Sequence, residues 1–108
     1  VKERLLSFIE YVNAQDYVGP LLPLQEIKVR VDMGNEACTL HISKTGLHIS
    51  EASDVSDCLQ FSHEDDLRSL TTGIRLQMLV RMKGATYKGT YRTLLLLESL
   101  FYLYRPAA

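Results

Sequence analysis

Three histidines, two cysteines and one acidic run hold most of the reactive side chains in this 108-residue chain. The residue pattern puts His41 and His48 on the polar side of two neighbouring strands and His63 at the start of a helix. Imidazoles on adjacent strands can bind a metal ion weakly. No Asp, Glu or Cys completes a ligand set with them at a recognised spacing, so no metal is assigned. Cys38 points to the opposite, apolar side, as a core cysteine does. Cys58 would need a base beside it to act as a nucleophile, and no histidine is placed there, so a small buried residue is the plain reading. Glu64, Asp65 and Asp66 lie where a helix N-terminus favours negative charge, which explains them without an acid/base pair. There is no glycine-rich phosphate loop. No catalytic residue is assigned, and the chain is not expected to be an enzyme.

The elements that position these residues follow from apolar spacing. Val1, Leu5, Phe8, Ile9 and Val12 recur at helical intervals, predicting an amphipathic helix that ends near Asn13. Gly19, Pro20 and Pro23 then break regular structure. Ile27, Val29, Val31 and Met33 alternate with Lys28, Arg30 and Asp32 as in a half-buried strand, and Gly34-Asn35 suits a two-residue hairpin turn. A second strand over 37–43 then sets Val31 opposite Cys38, Val29 opposite Leu40 and Ile27 opposite Ile42. Thr45-Gly46 repeats the device, with Ile42 opposite Ile49, Lys44 opposite Leu47, His41 opposite Ser50 and His48 opposite Ser43. Both turns agree on one apolar face, and a one-residue slip would reverse every side chain. A three-stranded meander with one wet face is expected.

Residues 58–61 read as a fourth strand with Leu59 and Phe61 inward. Ser62 followed by Asp65 is similar to a capping box opening a short helix over 63–72, which Gly73 stops. Residues 74–82 read two ways. Ile74, Leu76, Met78, Val80 and Met82 alternate as in a strand, Leu79 breaks the alternation, and a short helix fits as well. Residues 85–91 read as a last strand, with Gly89 as a bend or a point of close approach.

The final helix is apolar on almost every side. From Tyr91 onward, Leu94, Leu97, Leu100, Phe101 and Tyr104 form one arc. Leu95, Leu96, Tyr102 and Leu103 lie outside it, and Arg92, Ser99 and Glu98 mark a narrow wet strip. Such a helix must be covered on more than one side. The first helix, residues 74–82, a second copy of the chain or an apolar ligand are the candidates, and Met78 and Met82 add adaptable apolar surface. Two functions follow: a module that binds an apolar molecule, or a homodimer with no ligand.

Bulk properties narrow the setting. Residues 1–108 are expected to form a single domain, long enough for one core. With 12 basic and 13 acidic residues there is no electrostatic case for nucleic acid. The terminal apolar run from Leu94 holds 11 residues up to Tyr104, including Glu98, against the ~20 of a membrane span, so stable membrane insertion is not expected. Two cysteines make no disulfide framework and the amino end resembles no signal peptide, which points to the cytoplasm.

The order helix, meander, strand, short helix, variable segment, strand, terminal helix resembles the lipid-binding domain of the sterol carrier protein family. "FSHEDDLRSLTTG" is similar to that family's strand and capped helix ending in Leu-x-x-Gly. "YKGTYRTLLLLESLF" is similar to its last strand, bend glycine and Leu/Phe-rich closing helix. The resemblance implies an α+β domain whose five-stranded, mostly antiparallel sheet has helices packed on one face, enclosing an apolar cavity. It implies non-catalytic binding or carriage of a fatty acyl chain, acyl-CoA, phospholipid or sterol-like molecule, without a cofactor; some members are accessory modules of larger enzymes. Carried onto this chain, the cavity draws on Leu76, Met78, Leu79, Met82, Leu94, Leu97, Leu100 and Phe101, with Val29, Leu40 and Ile42 as its floor. Arg75, Arg81, Lys83, Lys88 and Arg92 gather near the implied mouth, where charge-assisted hydrogen bonds would orient a carboxylate or phosphate head, assisted by Tyr87 and Tyr91. A solvated surface is the plainer reading of the same residues.

Overall fold

The computed structural model describes residues 2–104; Val1, counted above in the first helix, lies outside them. The chain runs α1 (Lys2–Asn13), a 3-10 turn (Asp16–Leu21), β1 (Ile27–Met33), β2 (Glu36–Ser43), β3 (Gly46–Glu51) and β4 (Asp57–Phe61). It continues through α2 (Glu64–Leu70), α3 (Leu76–Arg81), β5 (Ala85–Lys88) and α4 (Tyr91–Leu103). The strands build one sheet in the order β3-β2-β1-β4-β5, with β4 parallel to β1 and the other neighbours antiparallel.

Across the Gly34-Asn35 turn the register is the expected one, pairing Val31 with Cys38, Val29 with Leu40 and Ile27 with Ile42. The second turn differs by two residues. It is Lys44-Thr45, closing Ser43 on Gly46, so Ile42 faces Leu47, Leu40 faces Ile49, and His41 faces His48 rather than Ser50. An even shift leaves every side chain on its own face. This register is clasped by α1. Its last residue, Asn13, accepts from the Leu47 N–H and donates to the Leu47 carbonyl, both at 2.9 Å, acting as one extra strand residue on the free edge of β3. A Cβ on Gly46 would come within 2.7 Å of Asn13 Oδ1, and Gly46 has a φ of +126°, so only glycine admits this clasp.

Because β4 lies beyond β1 from β3, residues 52–56 must cross the wet face. They cover Thr39, which is fully buried there and accepts from the Ser53 N–H at 3.1 Å. Arg30 reaches Asp54 at 3.8 Å from the next strand.

Residues 74–82 hold helix α3, and the strand reading fails. Leu76 and Leu79 are buried and Val80 half-buried at helical spacing, whereas Met78 and Met82 are 55% and 62% exposed. The edge beside β4 is taken by β5, which ends at Lys88, leaving no place for a strand at 74–82. The preceding helix also opens one residue later than expected. The His63 N–H donates to the Asp66 carboxylate at 2.9 Å, while the Ser62 hydroxyl donates to the Lys83 carbonyl at 2.9 Å and ties β4 to the turn before β5.

All four helices lie on the apolar face, and one buried cluster joins Leu5 and Phe8 of α1, Leu67 of α2, Leu79 of α3 and Leu97 of α4 to Val29, Leu40 and Leu59 of the sheet. The Phe8 ring stacks on Phe101 at 4.4 Å, and Tyr104 closes edge-on against Phe8 and Tyr11. So α1 covers one flank of the greasy terminal helix and α3 another. Among the described residues no helix is long and apolar enough to cross a membrane.

Candidate apolar ligand site

The start of α4 is held by a small polar knot. Thr90 caps the helix by accepting from the Thr93 N–H at 3.3 Å, and its own N–H donates to Asp57 Oδ1 at 3.0 Å. The Tyr87 hydroxyl donates to the Thr90 carbonyl at 2.8 Å. From this anchor the helix lies along the sheet, and its apolar arc meets the expected floor. Val29, Leu40, Ile42, Leu76, Leu79, Leu97, Leu100 and Phe101 come together in one cluster, with Leu94 half-buried against it. Met78 and Met82 face outward and stand apart from that cluster.

Among the described residues the structure shows no cavity at this place. Val29, Leu40, Ile42, Leu97 and Leu100 are each 0% exposed. A side chain bordering a water-sized void keeps some surface that water can touch, so these five meet protein on every side. The physical reason is the leucine surplus itself: the side chains of α1, α3 and α4 fill the space over the sheet, as interiors pack densely. Open concavities occur at the rim. One of about 440 Å³ is lined by Pro23, Leu24, Gln25, Glu26, Ile27 and Arg92, with Leu24 89% exposed. Another of about 290 Å³ lies beside Arg4, Leu67 and Tyr104.

The expected head-group residues divide. Arg75 is engaged, with Nη1 3.7 Å from Glu98 and its guanidinium 4.3 Å over the Tyr102 ring. The Tyr87 hydroxyl is committed to Thr90, and burial followed by the Asp57 charge pushes its pKa up. Arg81, Lys83, Lys88 and Arg92 are exposed.

Glu98 is a residue that sequence reasoning placed on the wet strip and that the structure buries, at 7% exposure. It sits on the flank of α4 that meets α3, where Gln77 donates to its carboxylate and Tyr91 donates to Gln77 Oε1 at 3.4 Å. Its spacing from Leu94 and Phe101 was the available signal. A buried carboxylate deprived of its donor is expensive, so Gln77→Ala should destabilise the fold by about 1–3 kcal/mol. Gln77→Ala/Glu98→Leu should recover most of that loss, because it removes the buried carboxylate that has lost its amide donor. Urea unfolding of both variants checks the pair.

On the wet face, burial and then the Asp32 carboxylate push the Cys58 thiol up, away from the thiolate that a nucleophile needs.

No protein-family model matches the sequence, and no curated protein matches it. Solved structures do. A UbiJ-SCP2 ubiquinone synthesis protein superposes with a TM-score of 0.67 at 15% identity, over 90% of this chain and 84% of its own. The palmitated SCP2L2 from Aedes aegypti gives 0.64 at 10% identity, over 99% and 98%. The sec-alkylsulfatase Pisa1 from Pseudomonas sp. gives 0.58 at 10% identity, over 77% of this chain but only 13% of the enzyme. Such low identities speak to architecture, and two of these three carry the same domain type. The chain has the α+β fold of the sterol carrier protein lipid-binding domain.

Proposed function

We propose that this protein is a non-catalytic module that binds or carries an apolar ligand, such as a fatty acyl chain, acyl-CoA, phospholipid or sterol-like molecule, between the sheet and α4. The observation that carries this reading is the fold-level likeness over nearly the whole chain to a palmitated sterol-carrier-like protein. Since the floor and the closing helix are packed together, the ligand tail must replace contacts of Leu76, Leu79, Leu94, Leu97, Leu100 and Phe101 by separating the helices from the sheet. Entry is assigned to the concavity at the first turn of α4, where Leu24 and Ile27 offer apolar surface and Arg92 offers a guanidinium to a carboxylate or phosphate head. Its volume of about 440 Å³ lies in the range of small-molecule sites. Cys38 and Cys58 form no disulfide, which fits a reducing compartment, and the cytoplasm is the proposed setting.

A second reading has one specific observation in its favour. Tyr91, Leu95 and Tyr102 form an exposed stripe on α4, the kind of surface a second copy would cover. Native mass spectrometry of freshly purified protein, followed by denaturing extraction, separates the two. A monomer of heterogeneous mass that releases lipid is the expected result. A ligand-free dimer would overturn the carrier reading in favour of the homodimer.

A further inference from the structure

Glu26, His41 and His48 bring one carboxylate and two imidazoles together on the wet face of the sheet, opposite the apolar core, with Glu26 also bordering the rim concavity. Their ligand-capable atoms all lie within 4.8 Å of one another. The register makes this cluster. His41 and His48 are directly opposed on β2 and β3, their rings stacked with centroids 4.3 Å apart and 5° from parallel. Glu26 stands one residue before β1, and the pairing of Ile27 with Ile42 brings it alongside the histidine pair. Its Oε1 lies 3.5 Å from His41 Nδ1.

That nitrogen is the telling atom. It is buried and has no hydrogen-bond partner, whereas buried polar atoms are nearly always satisfied. The other ring nitrogen, Nε2, is 2.7 Å from Ser50 Oγ. An imidazole held at one nitrogen by a polar neighbour, with the other lacking a hydrogen bond and 3.5 Å from a carboxylate oxygen, has the second nitrogen available to a metal ion. The dimensions agree. Bonds of 2.0–2.1 Å in tetrahedral zinc sites place ligand atoms about 3.3 Å apart. The separation between Glu26 and His41 is 3.5 Å already. Two parallel stacked rings do not direct their in-plane lone pairs to one point, so the exposed His48 must turn out of the stack, and the exposed Glu26 is free to close the remainder. One cation opposes binding: Lys28 Nζ lies 3.9 Å from Glu26 Oε1, but it is half exposed and can swing into solvent.

We propose that Glu26, His41 and His48 form a binding site for a divalent transition metal of the kind that favours imidazole, with Zn²⁺ as the probe, and that it discriminates against Mg²⁺. Three protein ligands leave a fourth position for water. The ion would pin the segment before β1 to β2 and to the edge strand β3, so binding should stabilise the fold as well as register as affinity.

The test is calorimetric titration of the untagged, chelator-treated chain with Zn²⁺ and with Mg²⁺, together with thermal melts. The expected result is one saturable Zn²⁺ site per chain, no heat with Mg²⁺, and a raised Tm with Zn²⁺. His48→Gln should weaken binding roughly ten-fold or more and abolish the Tm shift. His48 is exposed, so this variant keeps the fold whether or not His41→Gln does. Cys58→Ser should bind as the unaltered chain does. Zn²⁺ affinity weaker than about 1 mM overturns the proposal. So does unchanged binding in His48→Gln, or binding that disappears in Cys58→Ser, because either places the ion elsewhere.

Discussion

Leu97→Ala should lower folding stability by about 2–5 kcal/mol, the range for truncating a fully buried leucine. Leu97 lies in the middle of α4 and is 0% exposed in the cluster that joins the helix to Val29, Leu40 and Ile42. Alanine is the better helix former, so propensity cannot account for a loss. What disappears is apolar burial, and what appears is a void that dense surroundings only partly collapse. The neighbour Leu95 supplies the comparison: it is exposed on the same helix, and Leu95→Ala should stay within about 0.5 kcal/mol. Urea unfolding reads both. Equal effects would mean that α4 is not docked on the sheet as described. The same substitution bears on the proposed function. If a ligand enters by prying α4 from the sheet, weakening those contacts reduces the energy of opening, so Leu97→Ala should bind a fluorescent fatty acid more tightly than the unaltered chain. Weaker binding by a folded variant would argue for direct contact with a preformed surface instead.

Gly89→Ala should be among the most damaging changes of a single methyl in this chain. Gly89 has a φ of +147°, and a Cβ there would lie 2.1 Å from Asp57 Oδ1 and 2.7 Å from the Tyr87 hydroxyl. Neither neighbour can retreat freely, since Asp57 holds the Thr90 N–H and Tyr87 holds the Thr90 carbonyl. Backbone strain contributes about 1–3 kcal/mol, and forced overpacking about 1–3 kcal/mol more. Gly34→Ala separates these effects, because Gly34 also has a positive φ but has open space around it. It should show the strain alone. Gly89→Ala/Asp57→Ala should lose less than the sum of its parts, since removing the carboxylate removes both the closer clash and the Thr90 contact it was damaging, leaving only the Tyr87 hydroxyl. Thermal melts across this set decide the matter. A Gly89→Ala no worse than Gly34→Ala would deny the close approach.

Several parts of this fold were legible because their causes are local. The alternation from Ile27 to Met33 and the residues Gly34-Asn35 act within a few positions, and the β1–β2 register followed from them. Helical spacing placed α1 and α4, and Gly89 was readable as a bend because a glycine between a strand and a helix has few other uses. Residues 74–82 carried both periods at once. Their fate was set from outside, by β5 occupying the sheet edge beside β4 and by Leu76 and Leu79 reaching the core.

By itself, then, the sequence determined the local elements: alternating and helical apolar periods dictate a three-stranded meander and the first and last helices, and a terminal helix greasy on most sides demands cover on several. Only the tertiary structure decided what supplies that cover and what the polar residues do. Asn13 reaches across 34 positions to Leu47 and clasps the register in which His48 faces His41. Glu26 meets the histidine pair, Gln77 takes Glu98 out of water, and Phe8 stacks on Phe101. Each of these depends on contact between residues far apart in the chain, and periodicity records only which face a residue occupies, not which distant partner waits there.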